Sequence, residues 1–296
     1  MASTSSDTVS PVTSINYRPA ASCNSPQRVN LKTSLTHPIN ISWIVPEELI
    51  EGLSLDPLSG TIDLFDVYTS ASLYQHYYEN VRNTSQTLQR RSSRTYQRPT
   101  LIGNLALSSC PGKKVRLNGP VRGRATIDRD LDLDFQRLKS SDISMIICCL
   151  NDEELAFLGV PWPKYCELAQ KHNLQIIRIP MVEGGCPDTL DQMDQVVMQM
   201  DRHIQSGQRV LAHCRGGVGR AGLVACCWLL KTQFCFDADR AIRFVRMRRS
   251  PKAIETIQQV DFIVKYADYT NRKPLSHHRS HDVNKVALNT VTKLTQ

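Results

Sequence analysis

The sequence predicts an α/β fold: a central, mainly parallel sheet flanked by helices. Short continuous apolar runs, of the kind that fill buried parallel strands, recur at "SMIICCL" (144–150), "LQIIRIPM" (174–181) and "RVLA" (209–212). Helical stretches separate them, and strands alternating with helices imply parallel pairing. The third observation is a glycine-rich turn, "HCRGGVGRAG" (213–222), which joins the last strand to an apolar helix. Ligands of open α/β sheets bind at such carboxyl ends of strands.

The elements follow in order. Residues 1–37 are rich in Ser, Thr, Asn and Pro without periodicity, and read as a disordered extension. "INISWIV" (39–45) alternates and is β-branched, as a strand does. Residues 56–78 suggest a short helix or hairpin, and the polar, basic stretch 83–99 a flexible loop, with Arg90, Arg91, Ser92 and Ser93 forming a candidate phosphorylation site. Beyond residue 100, helical spacing marks 134–143, 162–173, 189–207, 220–231, 237–249 and 255–269. In the third of these, Leu190, Met193, Val197 and Met200 share a face, and Gly207 suits the position after the last turn. The polar tail 272–296 reads as disordered; its "SHHRSH" (276–281) is a weak metal-binding candidate.

Composition excludes several classes. No apolar run reaches the length of a membrane span, and the N-terminus lacks the basic and apolar regions of a secretory signal. Ten cysteines in such a chain point to a reducing compartment, cytoplasmic or nuclear, and no paired Cys-x-x-Cys spacing marks a zinc site. The net charge is +8, concentrated in residues 201–296, which hold 17 Lys and Arg against 7 Asp and Glu. That field favours anionic substrates. Nucleic acid is not expected, since no aromatic-interleaved basic motif accompanies the charge.

The turn explains where an anion would sit. Gly216, Gly217 and Gly219 let the backbone curl so that successive N–H groups point inward. The following helix adds its positive end, and Arg220 supplies a planar two-donor fork. Residues 215–220 (Arg215, Gly216, Gly217, Val218, Gly219 and Arg220) form the expected phosphate cradle. The same dipoles favour a thiolate at Cys214, poised for in-line attack on phosphorus and a phosphocysteine intermediate. No metal or cofactor is required, because Arg220 and the amides neutralise the equatorial oxygens. His213 is expected to orient or electrostatically tune the loop.

The stretch "VLAHCRGGVGRAG" resembles the signature loop of the cysteine-dependent protein tyrosine and dual-specificity phosphatases. "INISWI", "LALSSCPGKK", "LKSSDISMIICCLNDEEL", "MVEGGCPD" and "SPKAIETIQQVDF" extend the likeness to the kinase-associated phosphatase family. The resemblance implies a phosphatase domain over 38–271, with 47–100 as a partly disordered insertion, and a phosphoprotein substrate such as a cyclin-dependent kinase of the cell cycle. It also implies a general acid just before a Gly-Gly-x-Pro stretch, where Glu183 stands in place of the usual Asp. Asp188 is the alternative acid, with a competing reading as a helix N-cap. Gln259 matches a glutamine that positions water in the family. Ala221 replaces the usual Ser or Thr, which implies slower hydrolysis of the phosphoenzyme. Two other readings stay open: a phosphoinositide phosphatase, motivated by Arg215 and the basic last third, and a weakly catalytic phosphoprotein-binding module, motivated by Glu183 and Ala221. Cys186 is a candidate for a protective disulfide with Cys214. The sequence leaves the oligomeric state open.

Overall fold

The computed structural model describes residues 31–55, 63–91 and 101–272. A five-stranded sheet runs in the order β2 (Ser42–Trp43), β3 (Leu105–Ser109), β8 (Arg209–Cys214), β6 (Ile143–Cys148) and β7 (Gln175–Arg178). The last four strands are parallel, and β2 pairs antiparallel to β3. Strands β3, β6 and β8 are buried almost throughout, as their unbroken apolar runs require.

Helices α4 (Leu131–Ser140) and α6 (Trp162–Lys171) pack together, and α4 lies on β6 and α6 on β7. Helices α7 (Leu190–Gln205), α9 (Ala238–Arg248) and α10 (Ile257–Arg272) surround α8 (Arg220–Lys231). Every residue of α8 is buried, which is why this helix is apolar on all sides rather than striped. The short α5 (Asp152–Phe157) follows β6, and the side chain of Asn151 caps it by accepting the Glu154 N–H.

The structure corrects the expected organisation before residue 100. Residues 31–37 are folded: β1 (Leu31–Thr33) pairs parallel to β5 (Thr126–Asp128), which pairs antiparallel to β4 (Lys114–Val115) in a second sheet. A buried polar network holds this segment, and so no apolar stripe announces it. Arg129 grips Asp134 at 2.8 and 2.9 Å, Ser34 Oγ donates to Asp134 at 2.8 Å, and Arg129 Nη1 donates to the His37 carbonyl at 2.8 Å. The strand expected over 39–45 shrinks to Ser42–Trp43.

The described residues of 47–91 form three helices, α1 (Glu47–Leu55), α2 (Leu64–Thr69) and α3 (Ala71–Arg91), with Asp63 and Ser70 as the non-helical caps of α2. Leu49, Leu53, Leu64 and Val67 join the main core. Asp63, fully buried, caps α2 through the Asp66 N–H and accepts from Arg240 Nη1 of α9 at 2.9 Å. The expected loop from residue 83 is therefore helix up to Arg91. Ser92, Ser93 and the histidines of 276–281 lie outside the described residues, as do 1–30 and all but Arg272 of the expected tail. No helix among the described residues is long and apolar enough to cross a membrane.

Candidate active site

Strand β8 delivers Cys214 to the carboxyl edge of the sheet, with its side chain 3% exposed, and α8 begins six residues later. Between them the chain must turn back on itself against β3. Gly217 permits this: it sits at a φ of 71°, and a Cβ there would lie 2.0 Å from the Ser108 carbonyl. In this conformation its N–H donates to Cys214 Sγ at 3.2 Å. Gly219 is less confined: a Cβ there would approach Glu255 Oε2 to 2.2 Å, the movable end of a side chain.

Cations hold the loop's carbonyls outward. Arg249 Nε donates to Gly217 O at 2.8 Å and its Nη2 to Gly216 O at 3.1 Å, while Nη1 is anchored on Ser42 Oγ at 2.9 Å. Lys113 Nζ donates to Arg215 O at 3.2 Å, and burial pulls its ammonium below the ordinary lysine range. With these carbonyls engaged outside, the loop leaves its N–H groups to the bowl, as an anion nest requires.

Arg220 lies under the same bowl with its side chain 3% exposed. Its Nη1 donates to Glu154 Oε2 at 2.5 Å and to the Met181 carbonyl at 2.7 Å, and its Nη2 to Glu154 Oε1 at 2.9 Å. A guanidinium has five N–H donors. These three bonds leave Nε–H and the second Nη2–H, two donors on one edge, to grip an oxyanion in bidentate fashion. The capped first turn of α5 brings Glu154 to this point.

His213 is fully buried beneath Cys214, with Nε2 2.8 Å from Tyr165 Oη and the two rings stacked. Burial lowers its pKa to about 3, so the ring is neutral. A neutral ring brings no full charge to the loop, and its contact with Tyr165 fixes it in place. Cys110, Cys148 and Cys149 sit in the core beside the loop, and burial pushes all three thiols up, Cys148 to about 11. All nine described cysteines are free. Cys186 does not join Cys214: its thiol donates to Gln258 O at 3.5 Å, and burial pushes it up to about 11.

Glu183 and Cys214 line one cavity of about 400 Å³. The Glu183 carboxylate pairs with Arg215 Nη1 at 3.1 Å, both side chains being exposed. The loop behind it is fastened to the start of α10, where Thr256 Oγ1 donates to Gly184 O at 2.7 Å and Gln259 Nε2 to Gly185 O at 3.2 Å. Asp188 is exposed and does not line this cavity. Nor does it cap α7: Thr189 and Gln192 form a reciprocal capping box there.

Gln259 is fully buried between the loop and the Glu183 segment: its Nε2 donates to Gly185 O at 3.2 Å and would lie 3.1 Å from a Cβ on Gly219, and its Oε1 accepts the Glu255 N–H at 2.8 Å. Glu255 lines the cavity itself. Sequence reasoning also missed Glu154, Lys113, Arg249, Arg116 and Arg124, the last two of which line the same cavity. A signal existed only for Glu154, in the acidic run that opens a helix after a buried strand. The others come from segments distant in sequence, and only the fold brings them to the loop.

Comparison with known proteins agrees with this geometry. Residues 135–269 match the family described as dual specificity phosphatase, catalytic domain. The chain is 29% identical to cyclin-dependent kinase inhibitor 3 of Rattus norvegicus over 167 residues, which is 56% of this chain and 72% of the relative. The Homo sapiens protein of that name matches with the same identity and coverage. A crystal structure of kinase associated phosphatase, with serine substituted for its catalytic cysteine, aligns over 60% of this chain and 98% of its own, at a TM-score of 0.50 and 26% identity. The α/β fold, the Cys-x5-Arg loop and these likenesses together support a protein-tyrosine/dual-specificity phosphatase that is similar to the cyclin-dependent kinase inhibitor 3 proteins.

Proposed function

We propose that this phosphatase works through Cys214, Arg220 and Glu183. In the first step Cys214 Sγ, as the thiolate, attacks phosphorus, the bond to the leaving oxygen breaks, and Glu183, protonated and parted from Arg215, gives that oxygen its proton. In the second, water attacks the phosphocysteine, Glu183 takes a proton from it, and the S–P bond breaks to release inorganic phosphate and the thiolate. The N–H groups of residues 215–220 and the free edge of Arg220 hold the phosphoryl oxygens in both steps. The observation that carries this reading is the shared cavity: Cys214, Arg220 and Glu183 line it, whereas Asp188 does not. Because Glu183 is paired with Arg215, substrate entry has to part an exposed ion pair, at a cost of no more than about 1 kcal/mol.

The substrate is a phosphoprotein, and the names of the similar proteins point to a cyclin-dependent kinase as the partner. The many buried thiols suit a reducing compartment, the cytoplasm or nucleus. The catalytic domain in this reading begins at β1 rather than at residue 38, and takes in the helices of 47–91. Replacing Cys214 by Ser is expected to abolish turnover of an aryl phosphate and of a phosphothreonine peptide while oxyanion binding persists. Hydrolysis that survives in Cys214→Ser would refute the assignment.

A further inference from the structure

The helices of 47–91 take no part in the chemistry described so far, and they lie outside the stretch that matches the dual specificity phosphatase domain. Their contacts nevertheless lead to the catalytic loop. Arg240, Phe244 and Arg248 recur every four residues of α9 and so share one face of it. Helix α2 and its cap Asp63 pack along that face. At the start of α9, Arg240 Nη1 donates to Asp63 Oδ2 at 2.9 Å and to Asp66 Oδ2 at 2.7 Å. In the middle, the Tyr68 ring meets Phe244 edge to face, with centroids 5.5 Å apart. At the end, Arg248 Nη1 donates to Tyr68 Oη at 3.2 Å, and its guanidinium lies 5.3 Å from the centre of the same ring.

The next residue is Arg249, which holds Gly216 O and Gly217 O and so keeps those carbonyls out of the bowl. Arg249 stands at the C-cap of α9, where its backbone N–H donates to Val245 O. The last turn of a helix has carbonyls without intrahelical partners and gains from support outside the helix. Here β2 and α2 share that support. Arg248 Nε donates to Ile44 O at 3.0 Å and Nη2 to Trp43 O at 3.0 Å, while Tyr68 takes Nη1. The Arg249 bonds of 2.8 and 3.1 Å to consecutive carbonyls leave little room for movement, since hydrogen bonds weaken steeply outside their ordinary range. A small shift at the end of α9 would free a carbonyl to turn toward the phosphoryl oxygens, and the two kinds of oxygen repel.

We propose that α2 is a positioning element of the active site: by holding α9 at Arg240, Phe244 and Arg248 it sets Arg249, and through Arg249 the shape of the phosphate cradle. Asp66 and Tyr68 are then positioning residues, acting on the loop through α9. The inference rests on the phosphatase reading above and gives the helices of 47–91 a task in it.

The test loosens α2 without removing it. Tyr68→Phe keeps the ring and deletes its oxygen, whereas Asp66→Asn with Tyr68→Ala weakens the hold on both ends of α9. Arg243→Gln is the control, on the same helix but with its side chain paired to Asp239 in solvent. Urea denaturation establishes that each variant is folded, and hydrolysis of an aryl phosphate and inhibition by orthovanadate are then measured. The double variant is expected to lose about tenfold in kcat and to bind vanadate about tenfold more weakly, the scale of a small misplacement in a catalytic site. Tyr68→Phe is expected to lose about threefold in both, the scale of one hydrogen bond, and Arg243→Gln neither. The effect must also run through Arg249. Arg249→Lys keeps the charge and loses the fork, so it lowers kcat by itself, and adding the α2 changes to it should cost much less than the product of the separate factors. Native kcat and native vanadate inhibition in the folded double variant, or a fully multiplicative loss on top of Arg249→Lys, would overturn the proposal. If the double variant does not fold, Tyr68→Phe decides by the same two readouts. Failure of the underlying phosphatase reading looks different: the native protein would not hydrolyse the aryl phosphate, or hydrolysis would survive Cys214→Ser.

Discussion

Two arginine–glutamate pairs border the same cavity and teach opposite lessons. Arg220 and Glu154 are 3% and 22% exposed and joined by two bonds of 2.5 and 2.9 Å. Arg215 and Glu183 are 44% and 68% exposed and joined most closely at 3.1 Å. Breaking the buried pair leaves a charge stranded in a poor solvent, so it acts as a fixed part of the cradle. The exposed pair is screened by water and costs little to open, so its carboxylate is available for proton transfer. Burial, rather than the identity of the partners, decides which arginine clamps and which one gates.

The comparison breaks most visibly at Glu183. Glu183→Gln is expected to slow hydrolysis of substrates with poor leaving groups by about 10²–10⁴-fold, with a much smaller effect on good ones, while the denaturation midpoint stays near that of the native protein. Asp188→Asn should leave the leaving-group dependence unchanged. If the two variants exchange behaviour, the acid has been assigned to the wrong carboxylate. Glu154→Gln should do the reverse in character: kcat/KM is expected to fall by about 10²-fold for all leaving groups alike, because the Arg220 fork loses its orientation, and stability should fall too. Steady-state kinetics and urea denaturation on the same preparations separate the two patterns.

A smaller effect sharpens the contrast from below the loop. His213 has a pKa of about 3 in the folded protein against 6.5 ordinarily. Between these values the unfolded chain binds a proton that the folded chain refuses. Its contribution is therefore intact above about pH 6.5 and is lost as pH falls toward 3, with a slope approaching about 1.4 kcal/mol per pH unit. Urea titrations across this range should show the slope, and His213→Gln should flatten it.

The cradle was legible in the sequence because its chemistry is local. Cys214, the glycines and Arg220 lie within seven consecutive residues, and Gly217 meets a steric demand at its own position. Glu183 could be located from the Gly184–Gly185 turn beside it. What held these residues in place was hidden, because Glu154, Lys113 and Arg249 reach the loop through tertiary folding alone. Gln259 is held beside the loop by bonds the sequence does not show, to Gly185 O and from the Glu255 N–H, while Glu255 itself lines the cavity. The segment 31–37 escaped notice because a polar network around Asp134 fixes it, and composition alone does not distinguish Ser34 in that network from a serine in a solvated tail. Periodicity reports apolar burial and is silent about buried hydrogen bonds.

The most direct test of the account is to quench the native protein during turnover of a phosphothreonine peptide and map the added mass of one phosphoryl group by acid-stable peptide analysis. The account predicts the group on Cys214, absent in Cys214→Ser and increased in steady state relative to Ala221→Ser, which restores the hydroxyl missing beside Arg220. Robust turnover with no phosphoryl group on Cys214 at any time would contradict it.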